Sequence, residues 1–304
     1  MWTRRQMLTN SATLAALSPL LSFKELLEDE KKRKFHISAC DWSIGKDSNV
    51  EAFDVAKKIG LEGLMVDVIP FGSGETLAAP GSGKQRYLFD TSMQQAYLDA
   101  SKRTGVKIAS LGIGELNNVP YKSDPRTIEW VHDSIDVAKN LGVTVILLAF
   151  FSKNDLRNDE AGKKEVIRRL KEVAPKAERE GIILGIESYL NAAEHLEIMD
   201  AVGSKNVKTY MDFRNTADAG FDVLKEVKQL GKDNICELHM KENGFLLGQG
   251  TLPWQKIRDL LYDMEYYGDG WMQIEGAIPK GADVVESYKH NLSFLRVLFD
   301  KKIK

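Results

Sequence analysis

A chain of 304 residues, 43% hydrophobic and 28% charged, has the make-up of an ordinary globular protein and is long enough for one large domain or two average ones. Its 42 basic and 44 acidic residues leave a net charge of −2, so charge gives no argument for a nucleic acid or an anionic membrane surface as partner. No stretch of about 18 apolar residues occurs, and no membrane anchor is expected.

The first 30 residues stand apart. Arg4 and Arg5 open a basic zone, residues 12–21 are modestly apolar, and residues 24–34 are heavily charged. That order describes an export signal and linker. The string T-R-R-Q-M-L resembles a twin-arginine signal, which implies delivery of an already folded protein to the periplasm; without a working signal the protein stays cytoplasmic. The expected domains are signal and linker over 1–30 and one folded unit over 31–304. Cys40 and Cys236 both fall in expected strands and read as small buried hydrophobes.

From residue 34 strand and helix patterns alternate. Strands are expected over 35–40, 63–69, 106–111 and 143–149. Helices are expected over 50–59, 92–104, 123–142 and 163–180, three of them stopped by Gly60, Gly105 and Gly142. Pro175 should bend the fourth by removing a backbone donor. The Gly/Pro-rich stretch 70–87 is long enough to be a flap over a site. Four further strands end near residues 187, 212, 239 and 275, with helices near 192–202, 217–230 and 254–267 between them and a last helix over 281–298. Eight such alternations predict a single α/β domain, a (β/α)8 TIM barrel. No G-x-G-x-x-G or P-loop motif follows the first strand, which argues against an open dinucleotide-binding sheet.

The last four strands each end on a side chain able to bind a metal: Glu187, Asp212, His239 and Glu275, spaced by 25, 27 and 36 residues. At the carboxyl ends of successive parallel strands these groups converge on one site. Three carboxylates and one imidazole form a hard, oxygen-rich set suited to Mn2+, with Mg2+ or Co2+ as alternatives. A cation also offsets the cost of burying several carboxylates together. Lys241, two residues beyond His239, should face the same way and reach a substrate hydroxyl. Asp41 and Trp42 end the first strand and Glu115 follows the third, placing two carboxylates and an aromatic face on the same rim as candidates for binding a substrate.

Glu187 in G-I-E-S, Asp212 in M-D-F-R-N, His239 in H-M-K-E, Glu275 in Q-I-E-G and the string G-Q-G-T-L-P-W ending at Trp254 resemble the xylose isomerase-like barrels, above all their ketose 3-epimerase branch. The resemblance covers roughly residues 34–300. It implies one divalent ion on the four matching residues, with Glu187 and Glu275 as the acid–base pair. That branch commonly carries a histidine three residues after the aspartate, where this chain has Asn215, an amide that can bind a hydroxyl but does not titrate. Only five histidines and no basic patch argue against the trinuclear zinc endonucleases that share the barrel.

The expected activity is therefore a metal-dependent sugar isomerase or epimerase, working through an enediolate beside a carbonyl. A lyase acting on 3-keto-glycosides uses the same chemistry but expels a glycosidic oxygen. A non-catalytic sugar-binding barrel is the third reading. The expected partner is a small sugar, keto-sugar or glycoside, and assembly into a homo-oligomer is compatible with the chain.

Overall fold

The computed structural model describes residues 35–77, 87–266 and 270–299. The expected export signal lies outside the described residues, as does the middle of the stretch 70–87. Eight parallel strands close into a barrel in chain order: β1 (His36–Cys40), β2 (Gly63–Asp67), β3 (Lys107–Ile113), β4 (Val145–Phe150), β5 (Ile183–Ser188), β6 (Val207–Asp212), β7 (Ile235–Met240) and β8 (Trp271–Ile274). β1 pairs with β8, so no edge is left open. Outside run α1 (Ala52–Ile59), α2 (Thr91–Thr104), α3 (Arg126–Leu141), α4 (Glu160–Glu180), α5 (Ala192–Val202), α6 (Phe213–Asp218), α7 (Val223–Leu230), α8 (Trp254–Asp263) and α9 (Val284–Phe299). Among the described residues no helix is long and apolar enough to cross a membrane.

The expected strand 63–69 is too long. β2 stops at Asp67, whose Oδ1 accepts the Ile69 amide at 3.4 Å and turns the chain. That puts a carboxylate at the rim where an isoleucine was expected. The expected helix 217–230 is two helices, broken where Gly220 takes φ 87° and Asp222 starts α7 by accepting the Leu224 and Lys225 amides. α4 continues through Pro175 as one helix. Cys40 and Cys236 are free thiols on β1 and β7.

Most apolar bulk lies between strands and helices, while the barrel interior holds a polar layer one pleat below the rim. Tyr210 and Glu237 stand two residues before Asp212 and His239, and Gln273 two before Glu275, so they share the inward face. Glu237 accepts from Tyr210 Oη at 2.8 Å and Gln273 Nε2 at 3.2 Å, and Gln273 also reaches Ser110 at 3.0 Å and Ser38. Burial pushes the Glu237 carboxyl up to about 7, opposed by these donors. A Cβ at Gly185 would lie 2.8 Å from Cys236 Sγ and 3.0 Å from the Tyr210 ring, so glycine there makes room for both side chains. Tyr210→Phe takes one side-chain donor from a buried carboxyl that keeps others, and is expected to cost about 0.5–1.5 kcal/mol in denaturant unfolding. An unchanged midpoint would show the bond to be dispensable.

Candidate metal centre and active site

Glu187 lies near the end of β5, Asp212 ends β6, His239 is the penultimate residue of β7, and Glu275 directly follows β8. Each offers one ligand atom, and these atoms all lie within 4.8 Å of one another. His239 turns Nδ1 inward, 3.0 Å from Glu187 Oε1 and 3.5 Å from Glu275 Oε2. Its Nε2 faces the Cys40 thiol at 3.5 Å, and its ring packs 4.7 Å from that of Tyr210. Asp212 divides its work. Oδ1 caps α6 by accepting the Asn215 amide at 2.8 Å, whereas Oδ2 is buried and accepts no hydrogen bond. An orphaned buried carboxylate oxygen beside two glutamates and an inward imidazole nitrogen fits a divalent cation, which would satisfy all four groups at once.

Electrostatics show how these charges coexist. Burial raises the Asp212 carboxyl above the ordinary range, more than Lys241 lowers it. For Glu275 burial also acts upward, but Lys241 and His239 outweigh it and hold the carboxyl below its ordinary range. Burial would lower the His239 imidazole, yet Glu187 and Glu275 lift it to about 9. Lys241 donates to Glu275 Oε2 at 2.8 Å and lies 3.8 Å from Asp212 Oδ2.

Above the cluster opens a cavity of about 400 Å3, lined among others by Trp42, Asp67, Gly114, Asn117, Glu187, Asn215, Lys241 and Glu275. Asp212 and His239 are not in its wall. Trp42 donates its indole N–H to Glu275 Oε1 at 3.0 Å, and Asn215 donates its amide to Glu187 Oε1 at 3.0 Å. Asn215 thus lines the cavity with its amide nitrogen bonded to a glutamate.

Two expected rim residues lie elsewhere. Asp41 is fully buried and spends Oδ2 on the Ser48 and Asp67 amides at 3.0 and 3.2 Å. Glu115 accepts the Gly72 and Gly74 amides at 2.6 and 2.8 Å and so pins the start of the expected flap; neither residue lines the cavity. Trp254 and the loop before it are held by buried Glu242, which accepts from Trp254 Nε1 at 2.9 Å and the Leu252 amide at 3.2 Å. Sequence reasoning missed Asp67, Asn117 and the aromatic wall of Phe71, Phe151 and Tyr189. Phe151 and Tyr189 directly follow β4 and β5, so an aromatic residue just past a strand end was the available signal.

A profile of the xylose isomerase-like TIM barrel matches residues 53–298. D-psicose 3-epimerase of Enterocloster bolteae is 29% identical over 133 residues, 41% of this chain and 43% of that protein, so the match spans less than half of the relative. The 2-epi-5-epi-valiolone 7-phosphate 2-epimerase of Actinoplanes sp. is 23% identical over 208 residues, 68% of this chain and 72% of that protein. In three dimensions, a D-psicose 3-epimerase crystallised in the presence of D-fructose superposes with a TM-score of 0.70 at 16% identity, covering 88% of this chain and 100% of that one. The apo 3-keto-D-glucoside 4-epimerase of E. coli gives 0.68 at 16% identity, with 87% and 100% covered. Relatives and neighbours alike are enzymes of the epimerase and isomerase kind. With the closed eight-strand barrel and a family match over most of its length, the chain belongs to the xylose isomerase-like TIM barrel family.

Proposed function

We propose that this protein is a divalent-metal-dependent sugar epimerase or isomerase that moves a proton at the carbon beside a carbonyl, with Glu187 and Glu275 as the proton-carrying pair. One observation carries the reading. Of the four clustered groups, the two glutamates line the cavity, while Asp212 and His239 lie behind them. Two groups can therefore hold an ion only, and two can hold it and also meet a substrate. The family match and the epimerase relatives support the same class.

Glu187, Asp212, His239 and Glu275 would hold the ion, Mn2+ being the best fit to three carboxylates and an imidazole, with Mg2+ or Co2+ as substitutes. When bound, a divalent cation draws charge onto a substrate carbonyl oxygen and so acidifies the neighbouring C–H. The residues do the rest. Glu187 meets both its partners on Oε1, Asn215 and His239; with the His239 nitrogen given to the ion, Asn215 remains the donor there, and Oε2 is free of donors among the described residues. Glu275 has a donor on each oxygen, Trp42 and Lys241, which steady it as an anion. One carboxyl starts protonated and the other ionised; the anion takes the carbon-bound proton, the acid returns one, and the roles exchange in the reverse direction. Lys241, already beside Glu275, steadies negative charge developing on the substrate.

The exposed ring of Phe71, 59% accessible at the cavity wall, together with Phe151 and Tyr189, favours a second reading in which a glycoside is bound and a 3-keto-glycoside lyase results. Incubation of Mn-loaded protein with keto-sugars and 3-keto-glycosides in heavy water separates the readings. Deuterium at the carbon beside the carbonyl with mass otherwise conserved marks isomerisation or epimerisation, and a released aglycone marks elimination. Binding with no exchange marks a sugar-binding barrel and sinks the enzymatic reading. Activity in protein shown by emission spectroscopy to be free of metal would sink the role of the ion.

A further inference from the structure

Asp67 stands at the end of β2, on the cavity wall formed by β2 and β3. It is 2% exposed. Oδ1 accepts the Gly114 and Ile69 amides at 3.3 and 3.4 Å, while Oδ2 accepts no hydrogen bond from a described residue. A carboxylate oxygen without a donor, at the wall of a cavity, is open to a partner from the cavity.

Gly114 keeps that oxygen reachable. A Cβ there would sit 2.8 Å from Asp67 Oδ2, and the glycine lies outside the left-handed region, so its backbone would accept alanine. The position calls for space rather than for a turn. Asn117, on the same wall, accepts the Phe151 amide on Oδ1 at 2.9 Å, which leaves its Nδ2 donors without a partner among the described residues. One wall thus offers an acceptor and a donor, the pair that a hydroxyl engages at once.

Trp42 sets the distance to the reacting end. Its N–H binds Glu275, while the far edge of its indole packs over Gly112, 3.0 Å from where a Cβ would be. Asp67, paired with Gly112 across β2 and β3, therefore lies toward the far end of that indole from Glu275. Among the described residues of this wall, phosphate meets no counter-ion. Among the described lining residues Lys241 is the one cation, and it is bonded to Glu275. Asp41 and Asp47 lie behind Asp67, and burial, followed by these two carboxylates, raises the Asp67 carboxyl well above the ordinary range. As anion or as acid, it still pairs with a hydroxyl.

We propose that Asp67, Gly114 and Asn117 form a subsite that reads a free hydroxyl on a neutral sugar, remote from its reacting carbon, and that disfavours a phosphate ester there. The proposal rests on the sugar reading above. It does not rest on turnover.

The test uses full-length, Mn-loaded wild type, Gly114→Ala and Asp67→Asn. The probes are D-fructose, its deoxy analogues lacking each hydroxyl beyond the reacting carbon in turn, and its terminal phosphate ester. Dissociation constants come from calorimetry, and metal content and carbon-bound proton exchange are measured separately. Asparagine at 67 keeps an oxygen for the two amides but presents a donor to the cavity. We expect both variants to retain their metal and to bind D-fructose about ten- to a hundredfold more weakly, the range for leaving a buried hydrogen-bonding group without its partner. One deoxy analogue should bind wild type equally weakly and lose nothing further in Gly114→Ala. Unchanged D-fructose affinity in both variants overturns the proposal, as does an equal loss for every analogue, tighter binding of the phosphate ester, or no binding of any probe. If the binding pattern appears but wild type shows no exchange, the proposed reaction fails and the subsite stands. If wild type exchanges normally and the variants do so with unaltered KM, the reaction stands and the subsite falls.

Discussion

Glu187→Gln and Glu275→Gln proteins are expected to fold, and each to epimerise a substrate keto-sugar about 10²- to 10⁴-fold more slowly than wild type. The loss follows from the division of the cluster: these two carboxylates reach the cavity, and an amide cannot carry the proton. Because both also bind the ion, slow turnover alone does not separate proton transfer from metal loss. Exchange of the carbon-bound proton does. In a two-carboxylate mechanism each variant keeps one working group on one face of the carbon. Each should then lose exchange from one epimer far more than from the other, with the opposite preference in the two variants. Equal loss from both epimers, tracking metal content, would reduce the glutamates to ligands. Epimerisation at the wild-type rate in either variant would remove it from the chemistry.

The barrel was legible because its cause is local. Strands β4 and β5 are short apolar runs ended by turn-forming or polar residues, and a parallel barrel covers them on both faces. The cluster was legible because four runs ended on the same kind of side chain. What escaped was set by contacts distant in sequence. Hydropathy carried the second strand through Val68 to Ile69, yet the chain turns at Asp67 because that carboxylate holds the Ile69 and Gly114 amides. The polar layer of Tyr210, Glu237 and Gln273 follows from strand alternation two residues before Asp212, His239 and Glu275, and counting back by two would have found it. Glu115 sits at the predicted rim, but the backbone of residues 72 and 74 claims its oxygens, which no pattern in residues 106–115 announces. Asn215 shows the same limit. Its place three residues after Asp212 was plain, whereas its bond to Glu187 spans 28 residues and exists because α6 starts at Asp212.

Asp212→Asn should invert its effect on stability with the presence of metal. Asp212 Oδ1 caps α6, a contact that an asparagine oxygen can keep, so the fold at this corner has no reason to fail. Oδ2 is different: buried, without a hydrogen bond, and in company with Glu187 and Glu275. In chelator an amide there removes a buried charge that burial already resists, and the variant should unfold at or above the wild-type temperature. In Mn2+ at about a hundred times the wild-type Kd, wild type gains about 2.7 kcal/mol by mass action, or roughly 5–10 °C for a barrel of this size. Losing one ligand should weaken binding at least as much as losing an outer-shell partner does, about 10- to 100-fold, which cuts the gain toward about 0.4 kcal/mol at the upper end. The two melting curves should therefore cross between chelator and metal. A destabilised variant in chelator would mean that Asp212 serves the fold through contacts other than the cap, and an undiminished gain with Mn2+ would remove Asp212 from the ligand set. The crossing is what a group retained for the ion, at the expense of the ion-free fold, has to produce.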